Sequence, residues 1–446
     1  MSAVTVVGAG MAGCEAAWAI ANAGIPVTLF EMKPVKFSPA HHSPLFAELV
    51  CSNSLKASRI DSAAGLLKEE MRRLGSLLVP CAEACAVEAG GALAVDRDQF
   101  SAMVTEKIGA HPNITVVHQE INAIPDGDTV IATGPLTSDA LHDPIAALTG
   151  QPLYFFDAAA PIVTGESISM DRAFYASRYG KGTADYLNCP MTKEEYLAFY
   201  DALIHAESAP RHDFEQDAMR VYEGCMPVEV LAKRGEDAIR YGMMKPVGLT
   251  DPHTNTRPYV VVQLRKENRE GTLWNLVGFQ TNLKWGEQKR VFSMIPGLEH
   301  AEFVRYGVMH RNSFLDSPKL LDPTYALRKE PRIRFAGQMT GVEGYMESAG
   351  SGILAGLNTV RAIKGDAPLI LPRETMLGAL TAYITDPYQE NLQPMGANMG
   401  ILPMPNEKFR GKDAKQRKYQ AYADRALAAL DVCIAAQSTG ADRHEI

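Results

Sequence analysis

The chain has 446 residues, of which 46% are apolar and 22% charged, and 44 Lys plus Arg against 52 Asp plus Glu leave a net charge of −8. This profile excludes a collagen-like, coiled-coil or disordered chain, and at about 100–200 residues per domain it predicts two or three domains. A protein that grips nucleic acid with its whole surface is basic, so any RNA contact here must use a local patch.

The chain opens on Val4-Thr-Val-Val7, a short buried strand, with no basic leader before it. Gly8-Ala9-Gly10-Met11-Ala12-Gly13 follows, then a helix over 14–23 ended by Gly24, and a second strand over 27–30 closed by Glu31. A glycine motif placed between a strand and a helix, with an acid after the next strand, is the signature of dinucleotide binding. Gly8 makes the tight turn, Gly10 admits a pyrophosphate to the backbone, and Gly13 lets helix and strand pack closely. The helix N-terminus stabilises phosphate charge, and Glu31 accepts the ribose hydroxyls. The apolar run 16–25 contains Asn22 and falls far short of the ~20 residues of a membrane span.

Later segments decide between NAD and FAD. Thr129-Val-Ile-Ala-Thr133-Gly134 reads as a strand ending in a small-residue turn. Arg334-Phe-Ala-Gly337-Gln338 reads as another, followed by a glycine-rich run into a helix through Glu347, Gly350, Gly352 and Gly356. These segments resemble those that complete the flavin site in flavoproteins of the glutathione reductase type, with Gln338 where many have Asp. FAD is therefore the expected cofactor. The expected fold class is α/β: a Rossmann-type FAD-binding domain of that kind with an inserted α+β domain. The division reads as 1–150, first part of the FAD domain; 151–325, inserted substrate domain; and 326–446, second part with a basic C-terminal helix. Within the insert, strands are expected over 259–264 and 272–279, and helices over 193–206 and 227–232. The tail carries Lys408, Arg410, Lys412, Lys415, Arg417 and Lys418, either an RNA contact or a solvated helix face.

Seven cysteines without a CxxC pair give neither a disulfide framework nor a zinc site. Reduced thiols in a cytoplasmic protein and no bound metal are the expectation. Two contexts stand out. Cys51 ends an apolar stretch before Ser52-Asn53-Ser54, and Cys225 precedes Met226-Pro227, where Pro227 suits the first turn of a helix. A thiol near a helix N-terminus carries more thiolate; free cysteines are also often small core residues. His310, in Arg305-Tyr-Gly-Val-Met-His310-Arg311-Asn312, reads as lying after a strand and combines groups that can hold a flat heterocycle or simply satisfy an interface. No Ser-His-Asp spacing, HExxH or P-loop occurs.

With these residues in place the chain resembles the TrmFO family, the folate- and FAD-dependent tRNA (uracil-54-C5-)methyltransferases, over nearly its whole length. The likeness includes Phe46-Ala-Glu-Leu-Val-Cys51-Ser-Asn-Ser54, Ala132-Thr-Gly-Pro-Leu-Thr-Ser138, Ala184-Asp-Tyr-Leu-Asn-Cys189-Pro, Gly242-Met-Met-Lys-Pro-Val-Gly-Leu249 and Tyr306-Gly-Val-Met-His310. The GidA-type tRNA-modifying flavoproteins share the Rossmann start but have a longer chain. The resemblance implies 5,10-methylenetetrahydrofolate as carbon donor, FAD as electron donor, NADH or NADPH as reductant, and tRNA as substrate. Cys225 is then the thiol that adds to uracil C6, and Cys51 the second functional thiol. His310 and Asn312 bind folate, and the glycine motif with Glu31, Thr133, Gly134, Gly337 and Gln338 binds FAD. The same chemistry on a ribosomal RNA uridine, and a flavoprotein oxidoreductase acting on a small molecule, remain as alternatives; a folate requirement excludes the last.

Overall fold

The computed structural model describes residues 3–441 apart from 39, 51, 151, 159, 210–225, 267–270, 272, 308, 390, 391, 393 and 406. Strand Val4–Val7, helix Met11–Asn22 and strand Val27–Glu31 form the expected opening unit. The helix begins three residues earlier than the sequence suggested, because extended Gly10 is already its N-cap. Val4, Val6 and Val7 are buried, as a central parallel strand covered on both faces requires.

Six strands make the first sheet, in the spatial order Ala326–Leu327, Glu330–Phe335, Thr129–Ile131, Val4–Val7, Val27–Glu31, Ile114–His118. Neighbours run parallel except in the 326–335 hairpin. Strand Glu330–Phe335 thus returns from far along the chain to lie beside Thr129–Ile131, with Ile333 opposite Thr129. Helix Tyr345–Lys364 then packs on Met11–Asn22. A Cβ at Gly352 would sit 2.1 Å from the Ala12 carbonyl oxygen, and one at Gly356 2.8 Å from that of Ala16. Only glycine permits this approach.

A second six-stranded sheet is antiparallel throughout, in the order Phe174–Ala176, Tyr186–Met191, Val260–Lys266, Leu273–Leu276, Ile162–Thr164, Phe303–Arg305. The strand expected over 272–279 is shorter, ending at Leu276. Helices Lys193–Ile204 and Trp285–Phe292 cover it, burying Phe199, Trp274, Phe279 and Phe292 in a core of its own. Thr192 fixes the start of the first of these through a capping box with Glu195. Two strands, Pro152–Ala158 and Met309–Leu315, pair antiparallel where the chain passes between the sheets. His310 therefore lies inside a strand, opposite Asp157, and not in a loop after one. The C-terminal helix Ala414–Ala441 buries Tyr422, Ala423, Ala426 and Leu430 against the first core. Its attachment includes Arg73 with Asp431 at 2.7 Å.

Two buried carboxylates hold helix starts. Glu15 accepts the Leu77 and Leu78 amides at 2.9 and 3.0 Å. Glu70 accepts those of Met376 and Leu377 at 2.7 and 2.9 Å, at the start of helix Met376–Ile384. Burial pushes Glu15 up to about 7 and Glu70 up to about 8, against the opposing pull of those amides. Between pH 4.5 and 8 the folded chain thus holds protons that the unfolded chain has released. The associated stability is complete at the low end and lost as pH rises through the folded values. Glu70→Gln should flatten the fall in Tm between about pH 5 and 8, read by circular dichroism across a buffer series. An undiminished slope would show that Glu70 is ionised throughout.

Candidate functional site

The carboxyl ends of the parallel strands open into a cavity of about 180 Å³, where an open α/β sheet places its ligand. Turns from separate parts of the chain line it: Gly8, Ala9, Gly10, Met11 and Ala12; Glu31; Thr133 and Gly134; Gly337 and Gln338. Eleven residues were singled out from the sequence as cofactor contacts, and the structure brings ten of them to one cavity. Gly13 is the exception. Its Cβ would fall 1.7 Å from the Gly8 carbonyl oxygen, so its role is the close packing of helix on strand.

The glycines of the first turn differ in what they permit. Gly8 has φ +97°, and a Cβ there would lie 2.7 Å from the Ala132 carbonyl oxygen. Gly10 has an ordinary φ of −77°, and a Cβ there would meet no protein atom within 4 Å. Neither strain nor internal packing calls for glycine at position 10; its missing side chain leaves room in the cavity. No side chain caps the helix behind it and no acid lies in its first turn, so its amides are available to an anion. Glu31 accepts the Ala9 amide at 2.8 Å through one oxygen and the Lys33 amide at 3.0 Å through the other. A carboxylate has about four acceptor positions, so it retains capacity for hydroxyls. The donor set fits a dinucleotide: amides for a diphosphate, an oriented carboxylate for a ribose.

The opposite wall comes from the late half of the chain. Gly337, at φ +85°, donates its amide to Ser351 Oγ at 2.7 Å, and Gln338 Nε2 donates to Glu343 at 2.9 Å. Tyr345 and Ser348, in the first turns of helix Tyr345–Lys364, face the cavity. Thr133 shares a 2.6 Å hydrogen bond with Thr137.

Sequence reasoning missed a further part of the wall, the loop of Lys33, His41 and Glu48. Buried Lys33 donates to the Leu45 carbonyl at 2.5 Å and pairs with Glu48 at 3.3 Å. Glu48 also accepts the His42 and Ser43 amides. Burial, then the Lys33 charge, lowers the pKa of His41. The only signal for this group was the polar run His41-His42-Ser43, which has no periodicity.

Cys51 and Cys225 lie outside the described residues, as do the side chains of His310 and Asn312. Their described neighbours can be placed. Val50 lines the cavity, and the Ser52 amide donates to Tyr345 Oη at 3.4 Å. Pro227 is the N-cap of helix Val228–Ala232, which starts one residue later than expected. Positions 310 and 312 fall on one face of their strand, which runs beside the short turn Gln338–Thr340. Among the described residues no group of three His, Cys, Asp or Glu is arranged to hold a metal, and no helix is long and apolar enough to cross a membrane.

A Rossmann-type α/β domain with a dinucleotide cavity is what fold and site define, and known proteins narrow it. The profile of the family described as "Glucose inhibited division protein A" matches residues 3–367. A GidA structure from Aquifex aeolicus superposes with a TM-score of 0.70 at 15% identity, covering 97% of this chain and 73% of that one. The expected fold class is therefore the observed one. Among sequences, the methylenetetrahydrofolate–tRNA-(uracil-5-)-methyltransferase TrmFO of Heliobacterium modesticaldum is 59% identical over 96% of this chain and 97% of its own. That of Enterococcus faecalis is 57% identical over 95% and 97%. The chain belongs to the TrmFO family, within the GidA group.

Gly10→Val places two methyl groups where the cavity is now open. The purified variant should lose FAD, read as absorbance near 450 nm against protein, while its circular dichroism stays that of a folded chain. Full flavin content would remove the basis for this placement.

Proposed function

We propose that the protein methylates C5 of a tRNA uracil, at position 54 of the T-loop, using 5,10-methylenetetrahydrofolate as carbon donor, FAD as electron donor and NADH or NADPH as reductant. The observation that carries this reading is the dinucleotide cavity, with its open Gly10 turn, in a chain 59% identical to a methyltransferase named for folate and tRNA. When bound, the flavin supplies the two electrons by which a carbon at the formaldehyde level becomes a methyl group. In this reading residues 1–150 and 326–446 hold the flavin, and 151–325 is the substrate domain.

The protein's own groups act on the uracil. Uracil C5 is a weak nucleophile until C6 is saturated. The Cys225 thiolate forms a bond to C6, the electron pair passes to the C4 carbonyl as an enolate, and C5 attacks the methylene carbon, whose bond to one folate nitrogen breaks as that nitrogen takes the electron pair. Cys51 takes the proton from C5. The second folate carbon–nitrogen bond then breaks, releasing tetrahydrofolate and leaving an exocyclic methylene, and the hydride equivalent that a bound flavin would supply makes it a methyl group as the C6–sulfur bond breaks and restores the Cys225 thiolate. His310 and Asn312 hold the folate beside the 338–340 turn. Other thiols suit this chemistry poorly. Burial pushes Cys14 well above its ordinary value, Cys81 up to about 11 and Cys189 up to about 12, so all three are thiols at neutral pH, not thiolates.

Carbon labelled in methylenetetrahydrofolate should appear at uracil 54 of a tRNA transcript when NADH or NADPH is present. Labelled S-adenosylmethionine without folate should leave the RNA unlabelled; label from that source would sink the reading. A transcript with 5-fluorouracil at position 54 should trap the C6 adduct, because fluorine cannot leave as the proton does. Cys225→Ala should abolish the adduct. Cys51→Ala should keep it and lose about 10²–10⁴-fold in turnover, the range for removing a general base. The reverse pattern on denaturing gels would exchange the two roles.

A further inference from the structure

Segment 280–284 is a junction inside the 151–325 region. The Ala209 amide donates to the Asn282 carbonyl at 2.7 Å, and the Val228 amide to that of Gln280 at 2.7 Å. Buried Glu229 accepts the Asn282 amide and the Thr281 hydroxyl, each at 2.8 Å. The described chain on both sides of 210–225, the stretch that includes Cys225, is thus anchored to this one segment. Helix Trp285–Phe292 starts directly after it. From that helix, buried Gln288 grips Gly307 twice, Nε2 to carbonyl and amide to Oε1, both at 2.8 Å. Strand Met309–Leu315, with His310, begins two residues later.

At the start of the same helix Trp285 is 63% exposed. Its indole stacks on Tyr306 at 5.7 Å and 13°, and Tyr306 stacks on Phe303 at 5.4 Å and 10°. Three nearly parallel rings therefore end in an exposed one. Exposed Lys284, Lys289 and Arg290 lie on the same helix turn or beside it. Lys284 pairs with Glu207 and Arg290 with Glu287, both on the surface. Such pairs contribute little and cost little to break. An exposed flat ring, held in a fixed plane among cations, matches a nucleobase flanked by phosphates. Unpaired bases in RNA are held this way, by stacking on aromatic side chains, whereas bases inside a duplex are not accessible to it.

We propose that Trp285, backed by Tyr306 and Phe303, is a stacking platform for an unpaired base of the RNA substrate. The proposal rests on the tRNA reading above and adds to it where and how the RNA loop is held. The platform adjoins the segment that anchors the described chain on both sides of 210–225 and the start of strand Met309–Leu315.

The test compares wild type, Trp285→Ala and Trp285→Phe in fluorescence anisotropy with two RNAs. One is a T-arm hairpin with its unpaired loop; the other is a blunt duplex with the same number of phosphates. Trp285→Ala should bind the hairpin about tenfold or more weakly, Trp285→Phe should recover most of the loss, and duplex binding should be equal in all three. FAD absorbance and folate affinity should not change. The hairpin should also quench the part of the tryptophan emission that Trp285→Ala lacks while the duplex does not, since Trp274 is buried and half-buried Trp18 lies on helix Met11–Asn22 in the other core. Equal loss on hairpin and duplex would overturn the proposal, and so would a loss confined to folate. Methylation by wild type separates the two readings. If wild type methylates tRNA and Trp285→Ala binds the hairpin as tightly, the platform is wrong and the function stands. If wild type transfers no label, the functional reading falls and the platform with it.

Discussion

Helices Met11–Asn22 and Tyr345–Lys364 meet backbone to backbone, with Gly352 against the Ala12 carbonyl and Gly356 against that of Ala16. The rest of the site depends on this contact. Strand Glu330–Phe335, paired beside Thr129–Ile131, brings the turn at 337–338 to the same end of the sheet as the glycine turn at 8–13, and the helix contact closes the two around one cavity. The late helix then fixes its surroundings from the same few residues. Ser351 receives the Gly337 amide and donates to the Ser348 carbonyl. Glu347, 1% exposed, takes Lys56 at 2.6 Å and the Ala397 amide at 2.9 Å. A buried carboxylate with both a cation and an amide is satisfied, and removing either partner would leave it costly.

The antiparallel sheet is tied to this frame by polar groups as well as by the crossing strands. Asn53 is fully buried and donates to the Lys266 carbonyl at 2.6 Å and the Val95 carbonyl at 3.2 Å; its own oxygen accepts Arg265 Nε at 3.2 Å. Arg265 also reaches Ser52 Oγ, whose residue donates its amide to Tyr345 in the cavity wall. One amide side chain therefore joins three elements, and each of its hydrogen bonds is matched. A buried amide left half-satisfied is worse than an apolar residue, so this arrangement favours a single orientation of strand Val260–Lys266 against the segment that follows Cys51.

The opening unit was legible because its constraints are local. Gly8, by its positive φ, and Gly13, by the Gly8 carbonyl, answer to constraints within a few residues, and such constraints leave a spacing in the sequence. The turns at Thr133–Gly134 and Gly337–Gln338 were legible for the same reason, each a strand stopped by a small residue. The loop of Lys33, His41 and Glu48 was not, since its order comes from a buried ion pair and from carbonyls that no periodicity marks. Glu15 and Glu70 were equally hidden: a carboxylate on a helix looks solvated until tertiary structure sets the start of another helix over it. Placing His310 after a strand was an error of the same origin. The polar His-Arg-Asn run suggested a loop, and only pairing with Pro152–Ala158 makes it a strand.

The thiols show how environment, not residue type, divides chemistry from packing. Cys14 donates to the Ala9 carbonyl at 3.3 Å directly behind the glycine turn, close to the cavity in sequence yet wholly buried. Burial and the charges of Glu31 and Glu15 raise its pKa together. Burial is the larger cause, and the carboxylate that orients the turn adds to it. A thiolate at that position would repel a diphosphate at the helix N-terminus. The dinucleotide site thus needs Cys14 neutral, while addition to a uracil needs a thiolate. The two requirements are incompatible at one locus, and Cys14 meets the first.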